Sequence, residues 1–317
     1  MRLPIAVIAA LAFSAALAAD PYPARPIRMI VGFAPGGGTD LTARPVAQKM
    51  SELMGQQVIV ENRPGAAGNI ATEQVARAAP DGYTLLMGTI AALAINPSLY
   101  GNLKFDPETD LAPVIQVVDA TNVLALHPSV QAATVKELIA LAKQKSLSAG
   151  SSGIGATGHL AIELFNLMAG TKLVHVPYKG GGPAMADLVG GQIHLIFATT
   201  ASAIPQIKAG RVKGIAVTTA KRSALMPELP TISEAALPGF DANNWYGIVA
   251  PAGTPRAIIE QLNAEVTKIL GMADVKATLF NQGLDPAPGT PEQFGAYIRA
   301  ERIKWARVIK ESGAKAE

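Results

Sequence analysis

Six short stretches of this sequence put glycine and small residues where a backbone, rather than a side chain, would do the chemistry. They read APGGGTD (34–40), NRPGAAGN (62–69), MGTIAAL (87–93), SSGIGATGH (151–159), YKGGGP (178–183) and ATTASA (198–203). Several follow an apolar strand and lead into an apolar helix. Glycine loses more freedom on folding than any other residue, so Gly36, Gly37 and Gly38 in succession need more reason than a tight turn supplies. Bare N–H groups at a helix start, with the positive end of the helix dipole behind them, make an anion site. The dipole adds about 0.3–1 kcal/mol when exposed and up to about 2 kcal/mol when partly buried. The competing reading of any one of these loops is an ordinary strand–helix turn.

Catalytic chemistry has fewer candidates. GIGATG (153–158) matches G-x-G-x-x-G by letters, follows a strand and opens a helix. Dinucleotide binding also needs an acid about 20 residues on, at the end of the next strand. That strand reads LVHVPYKG and has none. A P-loop is excluded because no G-x-x-x-x-G-K-[ST] occurs. His127, His159, His175 and His194 form neither H-x-x-x-H nor H-E-x-x-H, and without cysteine there is no thiolate to complete a metal site. No G-x-S-x-G elbow occurs. Ser151 and Ser152 lie near His159 in sequence, with no identifiable orienting acid. His159 reads either as a ligand contact or as a local hydrogen-bonding residue. Asp40 reads equally as a first-turn carboxylate favoured by the dipole and as a partner for a ligand amine or hydroxyl. No catalytic group, metal or cofactor is expected.

The elements that must position these loops come in two series. The chain has 317 residues, 49% of them hydrophobic and 16% charged, enough for a large core and favouring two domains. Residues 1–19 read as a signal peptide: Arg2, an apolar run too short to span a bilayer, then small residues for cleavage near Ala18–Asp20. The alternative is an uncleaved anchor. With no cysteine there is neither an acyl anchor nor a disulfide, and an exported chain of that kind points to the periplasm. The formal charge of +3 is scattered, AKR (220–222) being its densest spot, so no nucleic-acid face is expected. No later run has 18 unbroken apolar residues.

Strands then alternate with helices, which predicts parallel sheets. Thr39 is the expected N-cap of the first helix and Gly55 its C-cap. Pro45 should kink its first turns. Thr134 with Glu137 predicts a capping box. The polar interruption at Asp119–Asn122 separates one series from the next, and DANNWYGIVAPAGTP reads as the crossing back. The expected arrangement is a leader (1–19), a first lobe (20–121 and 247–317) and a second lobe (122–246), with a cleft at the C-terminal ends of the strands.

Long stretches match one family in order: YPARPIRMIVGFAPGGGTD, VENRPGAAGNIATEQVARAAPDGYTLLMGT, VPYKGGGPAMADLVGGQI, IPQIKAGRVKGIAVTT and WYGIVAPAGTP. The chain resembles the Bug, or TctC, family of extracytoplasmic solute receptors of tripartite tricarboxylate transporters, over about Pro21 to Lys310. The resemblance implies an α/β, two-lobed periplasmic binding protein of the Venus-flytrap kind, with a parallel-rich sheet in each lobe and two interlobe crossings. It implies a small carboxylate held by Phe33, Ala34, Gly36, Gly37, Gly38, Thr39, Asp40, Gly88 and Thr89 of the first lobe. In the second lobe it implies Ser152, Gly153, Gly155, Ala156 and Thr157, flanked by Tyr178, Ala198, Thr199 and Thr200. Membrane permease subunits or a sensor protein would be its partners, and the chain is expected to be a monomer. Many relatives carry acids where this chain has His194 and Ala198, which argues against an amino-acid ligand and for a plain carboxylate. The rival readings are an enzyme using the glycine loops for a phosphate-bearing substrate or nucleotide, and a structural envelope protein with an empty cleft.

Overall fold

The computed structural model describes residues 22–178 and 181–315; the expected leader lies outside them. Strands β1 (Ile27–Val31), β2 (Val58–Asn62) and β3 (Thr84–Thr89) form a parallel triplet with β1 in the middle. Helices α1 (Gly38–Met54) and α2 (Asn69–Ala76) make the crossovers. β1 is buried almost throughout, as a central parallel strand must be. After β3 a π-helical turn, Ala91–Ile95, leads into the short α3 (Asn96–Leu99). β4 (Leu111–Ala120) follows, and one residue later β5 (Asn122–Leu126) starts in a different sheet.

The second series is α4 (Val135–Gln144), β6 (Ser148–Ser151), α5 (Thr157–Ala169), β7 (Val174–Pro177), α6 (Gly181–Val189), β8 (Leu195–Thr199), α7 (Thr200–Lys208), β9 (Lys213–Val217) and α8 (Ile232–Ala235). Its sheet runs β7-β6-β8-β5-β9, a second parallel triplet with β5 antiparallel to β8 and β9. The chain returns on β10 (Asn244–Pro251) and ends with α9 (Arg256–Gly271), α10 (Ala273–Asn281), β11 (Leu284–Pro286) and α11 (Pro291–Ser312). The first sheet runs β11-β4-β10-β3-β1-β2. In each lobe the triplet is parallel, while one strand beside it, β10 in the first sheet and β5 in the second, runs antiparallel to it. Asn244 already pairs with Ala120, so residues 244–246, grouped with the second lobe in the sequence reading, ladder into the first sheet. Trp245 and Tyr246 are both buried there, which gives the strand its reason to start early.

One apolar cluster runs across both sheets. Phe165 of α5 packs near Phe197 and Phe240, and Trp245 meets Phe294 edge-on with centroids 5.5 Å apart. Helix α11 packs on β4, α3 and α5, so it touches both lobes. Its buried Glu301 accepts from Trp305 Nε1 at 2.9 Å and pairs with Lys304 at 2.5 Å, which satisfies a charge that burial would otherwise penalise.

Helix ends differ from expectation in two places. Gly37, not Thr39, is the N-cap of α1; Thr39 is the second helical residue and buried. Thr134 does cap α4, accepting from Glu137 N at 3.2 Å, but the Glu137 carboxylate reaches back to Ala133 N rather than to the cap itself. Reciprocal capping boxes occur instead at Thr231/Glu234 and Thr290/Gln293. Gly55 closes α1 in the left-handed conformation, as expected.

Gly247 of β10 has no room for a side chain. A Cβ there would lie 2.8 Å from Ile115 O and press into the Phe294 ring. Gly247→Ala should therefore destabilise the fold by about 1–3 kcal/mol, the usual range for overpacking. Urea denaturation checks this, and an unchanged midpoint would show that α11 yields freely.

Candidate functional site

The loop 33–37 runs from β1 into α1, and its glycines have different reasons. Gly36 is left-handed, at φ +81°, with open space around its missing Cβ. Gly37 is the N-cap, and no side chain caps this end. At Gly38 a Cβ would sit 2.7 Å from Tyr246 Oη. Gly32, which the sequence reading passed over, is bare because a Cβ would lie 2.7 Å from Gly68 Cα in the neighbouring loop. Ala34, Gly36 and Gly37 are exposed and Phe33 is half-buried.

Asp40 faces the protein. Its Oδ2 accepts the Gly36 N–H at 2.9 Å, and Arg44 binds both oxygens in a fork at 2.8 and 2.9 Å. Asn62 at the end of β2 gives Nδ2 to Asp40 Oδ1 and to Phe33 O, both at 2.9 Å. Burial would raise this carboxyl, but the bonds from Arg44, Gly36 and Asn62 outweigh it and hold Asp40 below the usual carboxylate range. These bonds give Asp40 a structural role at the start of α1. Asn62 and Tyr246 are neighbours of this loop that sequence reasoning missed. The available signal for Asn62 was a polar residue closing the parallel strand beside β1.

Gly88 and Thr89 end β3, and a Cβ at Gly88 would lie 2.7 Å from Leu93. Across from lobe one, the loop 152–156 runs from β6 into α5. Gly153 and Gly155 have φ of +136° and +78°. Ala156 is the N-cap, so Thr157 is the first helical residue and caps nothing; again no side chain caps the end. At Gly155 the lobe-one neighbours are Asn96, Leu99 and Tyr100 rather than Gly88 or Thr89. Ser152 is exposed, while Gly155 is buried.

Three flanking residues are otherwise engaged. The Tyr178 hydroxyl donates to Asp187 at 2.7 Å, and burial with that partner pushes it up to about 12. Thr200 is fully buried and donates to Gly283 O at 2.8 Å, tying α7 to the chain just before β11. Thr199 lies within 3.2 Å of the Ser202 hydroxyl, and Ala198 is buried. His159 resolves to its local role: Nδ1 accepts the Gly155 N–H at 3.1 Å. Among the described residues no three His, Asp or Glu side chains gather as metal ligands. The open groove lined by Lys276, Phe280, Asn281 and Pro286 belongs to α10 and β11, away from both loops.

The arrangement is a pair of uncapped helix starts, each led in by a glycine loop and following a strand of its lobe's parallel triplet. The tripartite tricarboxylate transporter family receptor, TctC, matches residues 42–314. The chain belongs to this family. The receptor is similar to Protein BugT of Bordetella pertussis, at 38% identity over 311 residues, covering 97% of this chain and 95% of that one. Among solved structures it is similar to R. palustris Rpa4515 with adipate, with a TM-score of 0.86 and 38% identity over 93% of this chain and 99% of that one. It is also similar to MatC from Rhodopseudomonas palustris with bound malate, with a TM-score of 0.82 and 30% identity over 91% and 100% of the two chains. No helix among the receptor's described residues is long and apolar enough to cross a membrane.

Two measurements follow. Gly38→Ala should destabilise the receptor by about 1–3 kcal/mol through contact with the Tyr246 hydroxyl. Tyr246→Phe in the same chain should recover most of that loss, as thermal melts of the two variants would show. The second concerns pH. Burial holds His159 and His175 down at about 4, His159 further through its neighbour His175. Both are neutral when folded and titrate near 6.5 when unfolded. Their contribution is complete above about pH 6.5 and is lost as pH falls toward 4, by at most about 1.4 kcal/mol per pH unit each. Asp119, pushed by burial to about 6, works in the opposite sense, so wild type is compared with a variant. His175→Gln keeps a donor and cannot titrate; its melting temperature should fall less steeply between pH 7 and 5.

Proposed function

We propose that this chain is a periplasmic receptor for a small carboxylate, which it grips between the loops 33–40 and 152–157, without catalysis, and passes to a membrane permease or a sensor. The observation that carries this reading is the pair of glycine-led helix starts, α1 and α5, neither capped by a side chain. Their first-turn N–H groups lack helical partners and match the two oxygens of a carboxylate. Adipate and malate in two similar structures support a carboxylate over other anions. Closure of the lobes would turn about the two crossings, near Asp119–Asn122 and Ala242–Tyr246. The recognition is by backbone, so chain length and the groups beyond the first carboxylate set specificity.

A thermal-shift screen of mono- and dicarboxylates alongside ATP, NAD and inorganic phosphate tests it. A cognate carboxylate at about 100 times its dissociation constant should add about 2.7 kcal/mol of stability. Phosphate-bearing compounds should leave the melt unchanged. A shift with ATP or NAD and none with any carboxylate would hand the loops to the enzyme reading.

A further inference from the structure

The two lobes hold their loops in the same way. In α1 the residue before the N-cap, Gly36, gives its N–H to the side chain of Asp40, the third helical residue, at 2.9 Å. In α5 the residue before the N-cap, Gly155, gives its N–H to the side chain of His159, also the third helical residue, at 3.1 Å. Both glycines are left-handed, at φ +81° and +78°. His159 stands in lobe two where Asp40 stands in lobe one, with a neutral acceptor in place of a charged one.

The hydrogen-bond pattern fixes the protons. An imidazole that accepts at Nδ1 and is neutral carries its hydrogen on Nε2. Nε2 of His159 faces Glu163 Oε1 at 3.7 Å, beyond hydrogen-bond range. His175 stacks on the same ring with centroids 4.0 Å apart, and its Nε2 lies 2.6 Å from Ser151 Oγ. Ser151 Oγ also lies 3.0 Å from Gly153 O and accepts the Gly153 N–H at 3.1 Å. The titratable groups that bear on His159 are thus Glu163 on its own helix and His175 on β7. A second proton on His159 enters at Nδ1 and sets two N–H groups head to head with Gly155. A second proton on His175 leaves the Ser151 bond in place.

We propose that His159 is a positioning residue for the lobe-two loop: its unprotonated Nδ1 holds the Gly155 N–H and so sets the backbone that leads into α5, and ligand affinity depends on that hold. The affinity clause rests on the receptor reading above. The same conformation seats the loop against lobe one, where a Cβ at Gly155 would lie 3.0 Å from Leu99 Cδ2 and 3.2 Å from Asn96 Oδ1. Burial of both rings, which holds them near 4, keeps the acceptor free at neutral pH.

The test uses the ligand-free full chain. Amide exchange at Gly155 is followed by NMR from pH 7 to 4, as a protection factor, in wild type, His159→Leu and His159→Asn, with the Met29 amide of β1 as a control for global unfolding. The asparagine Oδ1 keeps an acceptor near the Nδ1 position and cannot titrate. Protection should drop at least tenfold in His159→Leu at every pH, persist in His159→Asn, and fall with acid only in wild type. Equal protection in wild type and His159→Leu, or an acid response that survives in His159→Asn, overturns the proposal. Adipate is the binding probe: its dissociation constant should rise at least tenfold in His159→Leu and less than threefold in His159→Asn. If wild type binds no carboxylate, the receptor reading fails while the exchange result still decides the role of His159. If exchange changes and a bound carboxylate's affinity does not, the affinity clause is overturned and the receptor reading stands.

Discussion

A helix that starts without a capping side chain leaves its first N–H groups unpaired, and something else must hold the chain that leads in. Most of the architecture around the two glycine loops answers that constraint. In each lobe the loop leaves a strand of the parallel triplet and enters a helix across a bare N-cap, Gly37 in one and Ala156 in the other. Support comes from behind the loop, through the side chain one turn into the helix and through a neighbouring strand end. Asn62 supplies the second in lobe one, and the Ser151–His175 pair supplies it in lobe two. The front of each loop is left as backbone.

Holding two such loops in register is a separate problem, and the crossings carry it. Asp119 closes the outgoing strand and Asn243 precedes the returning one; Asn243 Nδ2 donates to Asp119 Oδ1 at 2.7 Å. Gln116 donates to the same oxygen at 2.8 Å. Burial, with Asp285 and Asp241 adding their charge, is what pushes Asp119 up to about 6. The Thr200–Gly283 bond and the packing of α11 on α5 add further ties between lobes. The polar contacts at the crossings and the apolar cluster shared by α11, β10 and α5 thus both join the two lobes.

Strand and helix existence was legible because the apolar runs have clear periods and glycine or proline punctuates them. Gly55 was legible as a C-cap because its role is local. What failed was mostly non-local. The N-cap of α1 was assigned to Thr39 because residue type favours threonine, yet the helix begins at Gly38 and Gly37 takes the cap. Gly32 is bare because of Gly68, and Asn62 reaches back to Phe33, 29 residues earlier, contacts no local pattern reveals. Tyr178 and Thr200 were named only through the family resemblance, and no local pattern indicates that their hydroxyls bond to Asp187 and Gly283. His159 was open between ligand and local roles, and only the fold brings Nδ1 to Gly155 in a way that mirrors Gly36 and Asp40.

That mirror is imperfect in charge, and the imperfection spares both helix starts an uncompensated negative charge. Two like charges about 6 Å apart repel by about 3 kcal/mol at an effective dielectric of about 20. The attraction of one helix start is up to about 2 kcal/mol. A bare carboxylate latch under either loop would therefore cancel what the helix start offers. Lobe one meets this with Arg44, whose fork on both oxygens neutralises Asp40 within the same helix. Lobe two has no such fork on α5, where Glu163 lies 3.7 Å from the ring and is itself raised by burial. A neutral imidazole does the latching there without adding negative charge. The same hydrogen bond is made by a compensated anion in one lobe and an uncharged ring in the other, so neither latch sets a net negative charge beneath its helix start.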